Sequence, residues 1–286
     1  MKLRSLLFVP ADRPERFVKA TASGADAIIL DLEDSVSLAR KDAARAAVID
    51  WLAGERAVTT FVRVNPLDSE HIDADLSIFS SARPDGIVLP KAEGASSIGR
   101  LLEKLGGAAI PILPIATETP AAIFEMASYR MVSSQLAGVT WGAEDLPAAI
   151  GAVTSRNADG SYTPPYEMVR ALTLFSAHAA HVAAIETVYP GIKDEAGLAA
   201  YAARGARDGF TGMMALHPAQ VPIINAAFTP GEETVAHALA IIAAFAAAPD
   251  AGVLMLNGKM IDAPHLLQAH KILERAGYSP VAPSRA

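Results

Sequence analysis

The sequence of 286 residues contains no cysteine. That excludes disulfides, thiolate metal ligands, iron–sulfur clusters and a cysteine nucleophile. Positive charge is in deficit: 24 Lys and Arg stand against 31 Asp and Glu, a formal net charge of −7. A nucleic-acid-binding face needs the opposite balance, and nothing here draws the chain to an anionic membrane. Long apolar runs are also missing. The stretch 6–9 is shorter than a signal-peptide core, and the Ala-rich stretch 235–248 contains His237 and falls short of the ~20 residues of a membrane span. A soluble cytoplasmic protein is the expectation. No Gly-x-Gly-x-x-Gly turn follows any apolar run, which removes the usual dinucleotide-binding signal.

What is present is an apolar majority, 51% hydrophobic against 19% charged, enough for a large core. Eight short runs are near-continuous in apolar character: 3–9, 27–32, 60–64, 86–89, 110–116, 138–141, 183–188 and 212–216. Such runs suit parallel strands buried on both faces. Helical stretches fall between them at 14–23, 37–52, 95–105, 119–131, 166–180 and 193–207, the fourth opening on Thr119-Pro120, an N-cap followed by a first-turn proline. Eight strand–helix units predict the α/β class and a (β/α)₈ TIM barrel over residues 1–230, in preference to an open doubly wound sheet. Residues 231–286 remain as a C-terminal helical and hairpin extension: a helix at 232–247, a hairpin turn at Asn257-Gly258 and a last helix at 266–276. This extension is expected to act as a lid or to pack on a neighbouring subunit, with 280–286 frayed.

Barrel enzymes place their chemistry at the C-terminal strand ends. The exits here carry Asp12 and Arg13, then Asp31, Glu33 and Asp34, then Arg63 and Asn65, then Lys91, Glu118, Glu144 with Asp145, Glu186, and His217. Clustered carboxylates repel and raise one another's pKa unless a cation offsets them. The oxygen-only set therefore points to a bound Mg²⁺ or Mn²⁺ rather than Zn²⁺. Glu118 and Asp145 end consecutive strands and are the expected ligands, although Asp145 could instead cap the helix it precedes. Arg63, inside a strand, needs an anion. Either it pairs internally with Glu33 or Asp34, or it forms a fork for a substrate carboxylate or oxyanion. Glu33 and Asp34 are read either as catalytic-centre acceptors for metal-bound waters or as helix-entry residues. His178 and His181 read as packing or surface residues, and His237, His265 and His270 as surface ones.

The motifs LLFVPADRPERFVKA, GADAIILDLEDSV, FVRVN, LPKAE, IATETPAAI, WGAEDL, ETVYP and LHPAQ, with GKMIDAPHLLQAHKIL near the end, occur in order along nearly the whole chain. Together they resemble the citrate lyase beta-subunit-like family, within the hydroxy-keto-acid aldolase and malyl-CoA lyase group. The resemblance implies a (β/α)₈ barrel, Mg²⁺, acyl-CoA substrates and reversible carbon–carbon cleavage of a 3-hydroxyacyl-CoA such as malyl-, citramalyl- or citryl-CoA into acetyl-CoA and a 2-oxo acid. It makes Glu118 and Asp145 the metal ligands and Arg63 the substrate-binding arginine. Asp262 becomes an acid/base offered from a neighbouring subunit, and Arg4, Lys19 and Lys41 become contacts for CoA phosphates. It further implies a homo-oligomer, a trimer or dimer of trimers. Three positions depart from the pattern: Met213 replaces a frequent Lys, Glu186 a frequent Asp, and Asn257 a frequent Asp. These bear on the acyl group more than on the metal chemistry. The alternatives are a metal-dependent aldolase on free hydroxy-keto acids, the citryl-acyl-carrier-protein lyase subunit of a citrate lyase complex, and a silent acyl-CoA binder, against which Glu118, Asp145 and Arg63 argue.

Overall fold

A computed structural model describes residues 1–278, so the expected fraying of 280–286 lies outside the described residues. The eight apolar runs become eight strands: β1 Ser5–Pro10, β2 Ala27–Asp31, β3 Thr59–Arg63, β4 Gly86–Leu89, β5 Ile112–Pro114, β6 Gly138–Thr140, β7 Ala183–Glu186 and β8 Gly212–Ala215. All are parallel, in the order β5-β4-β3-β2-β1-β8-β7-β6. The ends β5 and β6 meet through the bridges Ile112↔Leu136 and Ile115↔Thr140, which close the sheet into the barrel that the sequence predicts.

The barrel interior is filled by side chains from successive strands, among them Leu6, Ile29, Phe61, Val88, Leu113 and Ile185, all buried. Burial at about 25 cal/mol per Å² of apolar surface makes this interior the main stabilising term. Gly212 belongs to it by necessity, since a Cβ there would meet the Leu3 carbonyl oxygen at 1.8 Å.

Eight helices follow the strands: α1 Phe17–Thr21, α2 Lys41–Ala53, α3 Ile72–Ser77, α4 Gly94–Lys104, α5 Pro120–Glu125, α6 Asp145–Ile150, α7 Pro164–Ala179 and α8 Glu195–Asp208. Thr119 caps α5 as its sequence signal predicts, its hydroxyl accepting from the Ala122 N–H at 3.1 Å. The sequence pattern does not mark α3 and α6. Each has six residues, too few for a helical periodicity to repeat. A further helix, α9 Val221–Ala227, follows the eighth strand.

The chain divides into two compact units, Met1–Ala226 and Ala227–Ala286, a few residues before the boundary the sequence suggests. The second unit contains α10 Glu232–Ala247, the antiparallel hairpin β9 Val253–Leu256 and β10 Lys259–Asp262, and α11 Ala263–Arg275. Its small core joins Ala238, Ile241, Ile261, Ala269 and Leu273. Asn257 (φ 51°) and Gly258 (φ 77°) make the hairpin turn with both residues left-handed, the geometry for which Asn-Gly is favoured. No helix among the described residues is long and apolar enough to cross a membrane.

Candidate active site

The register of β2 on β3 sets Asp31 directly beside Arg63. Asp31 is the last residue of its strand and Arg63 the last of the next, so both side chains stand at the C-terminal mouth. The guanidinium donates from Nε to Oδ1 and from a terminal nitrogen to Oδ2 of Asp31, each at 2.7 Å. Its other terminal nitrogen reaches Glu33 at 2.9 Å and Asp34 at 3.8 Å. The main partner of Arg63 is therefore Asp31, rather than the Glu33 or Asp34 that the sequence suggests. Asp31 also accepts from the N–H groups of Glu33 and Ser35. Burial favours its neutral acid, but Arg63 outweighs burial and keeps the carboxyl below its ordinary pKa. Burial likewise opposes the Arg63 charge. Asp31, Glu33 and Asp34 more than compensate, so the arginine is firmly cationic. Its guanidinium lies 4.9 Å from the centre of the Phe8 ring, a cation–π contact.

The second half of the site joins β4, β5 and β6. Glu118 is buried and accepts the Lys91 backbone N–H at 2.6 Å. Lys91 itself adopts the left-handed region, φ 50°, which is uncommon for a side-chain-bearing residue. Gly142 leaves room here, because a Cβ would come within 3.2 Å of Glu118 Oε1. Lys91 Nζ lies between Glu33 Oε1 at 3.1 Å and Asp145 Oδ1 at 3.2 Å. Asp145 is the first residue of α6, and Glu144 occupies the cap position with no side-chain capping bond. The cap reading of Asp145 is thus not realised; its carboxylate faces Lys91. Burial, with Glu33 and Asp145 adding to it, pushes the Glu118 carboxyl up to about 8 despite the Lys91 N–H. Burial also raises the pKa of Glu33, against the pull of Arg63 and Lys91. Lys91 is visible in the sequence at its strand exit, but nothing there assigns it a role. Its task is to hold positive charge among three carboxylates.

A cavity of about 400 Å³ opens over these residues. Arg63, Glu118, Asp145 and Asp34 line it, whereas Glu33 lies behind, bonded to Arg63 and Lys91. No cluster of three or more His, Asp or Glu with metal-holding geometry occurs among the described residues. Glu118, Glu144 and Asp145 are the carboxylates that the β5 and β6 exits bring to the cavity. A buried Glu118 with Asp145 on the same cavity wall fits a hard divalent ion that takes one or two protein carboxylates and completes its shell with water and substrate oxygens.

Other residues singled out in the sequence stand elsewhere. Arg4 precedes β1 and grips Asp26, just before β2, at 2.7 Å, so it stands at the end of the barrel opposite the strand exits. Lys41 is buried in α2, its ammonium donating to the Leu32 and Glu33 carbonyls and to Asn65 Oδ1 at 2.5, 2.8 and 2.8 Å. Three acceptors use all three ammonium donors. Each has an internal partner that a linear sequence does not show. Lys19 is exposed on α1. In the second unit, Asp262 caps α11, and its Oδ1 is 2.5 Å from Nδ1 of His265. His217 caps a short turn with Gln220. Glu186 is buried and accepts from Trp141, Arg170 and Tyr201, which ties β7 to α7 and α8. Met213 is buried core.

Residues 4–218 match the family model described as HpcH/HpaI aldolase/citrate lyase. The chain belongs to that family. Within it, a citrate lyase subunit beta-like protein of Mycobacterium tuberculosis is 36% identical over 95% of this chain and 94% of its own length. A (3S)-malyl-CoA thioesterase of Cereibacter sphaeroides is 33% identical over 96% and 94%. Among solved structures, the CitE protein of M. tuberculosis in complex with magnesium, acetoacetate and coenzyme A superposes with a TM-score of 0.83 at 35% identity, covering 96% of this chain and 98% of that one. The HpcH/HpaI aldolase/citrate lyase family is one of carbon–carbon lyases, and the closed barrel with a carboxylate pair at its mouth is consistent with that chemistry.

Proposed function

We propose that the protein is an Mg²⁺-dependent lyase that reversibly cleaves a 3-hydroxyacyl-CoA thioester into acetyl-CoA and a 2-oxo acid. The observation that carries this reading is the convergence of Glu118, Asp145 and Arg63 on one cavity at the strand exits. Glu118 and Asp145 would hold the cation. When bound, Mg²⁺ or Mn²⁺ supplies Lewis acidity for the oxo-acid oxygens.

The chain's own residues do the rest. Arg63, fixed by Asp31, presents preorganised positive charge to the developing oxyanion, where such charge is most effective. Glu33 positions Arg63 and Lys91 rather than touching substrate. Asp34, on the cavity wall, takes the proton of the substrate hydroxyl in cleavage. Asp262, offered from a neighbouring copy's C-terminal unit, protonates the thioester enolate carbon, and in synthesis removes the methyl proton. This requires a homo-oligomer, by resemblance a trimer or dimer of trimers, and an exposed apolar stripe on α7 supports association: Met168, Leu172 and Phe175, spaced for one helix face.

The test is release of 2-oxo acid from a panel of 3-hydroxyacyl-CoA thioesters with Mg²⁺. Release that stops on chelation supports the reading, and no release from any thioester refutes it. A second reading, an aldolase on free hydroxy-keto acids, draws support from Arg4 and Lys41, two of the three expected CoA contacts, being committed internally. Turnover of a CoA-free substrate would favour it.

A further inference from the structure

The barrel closes between β5 and β6, and both proposed metal ligands stand at this seam: Glu118 beyond β5 and Asp145 beyond β6. The seam has little ladder of its own. Two isolated bridges join β5 to β6, whereas β1 and β2 share five paired positions. The Ala116 N–H donates to the Thr140 carbonyl at 2.9 Å, and past it no backbone–backbone hydrogen bond links the two exits among the described residues. A side chain takes over. The Thr117 hydroxyl donates to the Gly142 carbonyl at 2.8 Å and accepts the Gly142 N–H at 3.0 Å. One hydroxyl, both donor and acceptor, thus serves the two backbone groups of the residue across the seam, as a strand partner would.

This clasp adjoins both carboxylates. Thr117 is fully buried, and Glu118 is the next residue. Gly142 packs on Glu118 so closely that a Cβ would come within 3.2 Å of Oε1 and 3.3 Å of Cγ. Asp145 follows Gly142 by three residues. We infer that Thr117 is a positioning residue whose hydroxyl fixes the Glu118 and Asp145 carboxylates relative to each other for the metal ion. The inference rests on the metal site of the proposed function and adds to it a residue that acts only through its neighbours. Mg²⁺ demands near-ideal octahedral geometry. Ligands borne on two segments without a ladder keep that geometry only if something else couples the segments. Other exits are coupled by other means: Asp31 grips Arg63 between β2 and β3, and the Lys91 N–H holds Glu118 between β4 and β5. A buried hydroxyl is costly without partners, and this one spends both of its bonds on the seam.

Thr117→Val keeps the shape and removes the hydroxyl, and Thr117→Ser keeps the hydroxyl. Gly142 is half-buried, so its freed N–H and carbonyl can turn to water and the valine variant can fold. Thermal melts in chelator check the fold, and calorimetric titration with Mg²⁺ and with Ca²⁺ reads the site without substrate. Groups that orient metal ligands are typically worth 10–100-fold in affinity, so Thr117→Val is expected to bind Mg²⁺ ~10-fold or more weakly. Ca²⁺, whose coordination is flexible, should lose less. Thr117→Ser should restore Mg²⁺ binding. Gly142→Ala presses a methyl onto Glu118 and should weaken Mg²⁺ in the same sense. Parental Mg²⁺ affinity in Thr117→Val, or an equal loss for Mg²⁺ and Ca²⁺, would overturn the inference. If Thr117→Val does not fold, Gly142→Ala decides, and parental Mg²⁺ affinity there overturns it. No Mg²⁺ binding by the parent protein would refute the metal site itself, whereas parental binding in Thr117→Val refutes only the role of Thr117.

Discussion

Asp31 holds Arg63 through both carboxylate oxygens, at 2.7 Å each, across the β2–β3 register. Asp31 is buried and the Arg63 side chain is 12% exposed. Breaking a buried pair of this kind typically loses about 3–5 kcal/mol, and Glu33 at 2.9 Å from Arg63 places the loss here at the lower end. Asp31→Asn should therefore lower stability by a similar amount in urea titration and reduce kcat by ~100-fold, because the arginine is no longer aimed. Arg63→Lys should also lose most activity, since a point-charge ammonium cannot reproduce the two-pronged bond. Wild-type kcat in Asp31→Asn would show that the pair plays no part in aiming the arginine.

Glu118 gives a pH-dependent signature in the metal-free protein. Its folded pKa of about 8 lies above the ordinary 4.5, so folding favours the protonated form. The group costs nothing below pH 4.5. It destabilises the protein progressively as the pH rises toward 8, by up to a few kcal/mol, at about 1.4 kcal/mol for each tenfold change in proton affinity. Glu118→Gln should thus be more stable than the parent at pH 8.5 in chelator, with the advantage vanishing near pH 4.5. Thermal melts at the two pH values decide it; a gain that is independent of pH would contradict the assignment.

Asp262 caps α11 and touches His265. Asn is as good a helix cap as Asp, so Asp262→Asn should keep the melting temperature while suppressing hydrogen–deuterium exchange at the acetyl methyl of acetyl-CoA. Undiminished exchange would remove Asp262 from the mechanism.

The α7 stripe predicts the assembly. Phe175, 66% exposed, lies at its end. Phe175→Glu should reduce the mass seen by light scattering and, with Asp262 supplied in trans as proposed, lower turnover in parallel. A monomeric parent protein would contradict both expectations.

The barrel is legible in the sequence because its strands are buried on both faces, which makes each run continuously apolar and easy to count. The helices α3 and α6 are not legible, being too short for a periodicity. Glu118, Asp145 and Arg63 can be found from their positions at strand ends. Which anion holds Arg63 cannot, since Asp31, Glu33 and Asp34 are equivalent in sequence and only the register of β2 on β3 separates them. Lys41 shows the same limit from the other side. The resemblance makes it a contact for a CoA phosphate, yet two backbone carbonyls and Asn65 take up its ammonium. Arg4, a CoA-phosphate contact by resemblance, stands before the first strand begins and pairs with Asp26 at the far end. A strand has two ends, and only the C-terminal one carries the site.

The central claim is that the Glu118–Asp145 pair, with Arg63 beside it, serves a metal-dependent cleavage of a 3-hydroxyacyl-CoA. Its most direct test is 2-oxo acid release from the citramalyl thioester with Mg²⁺, with chelator, and in Glu118→Gln. Release with Mg²⁺ that falls to background in the other two conditions is the predicted result. Release that survives both chelator and the Glu118→Gln substitution would contradict the claim.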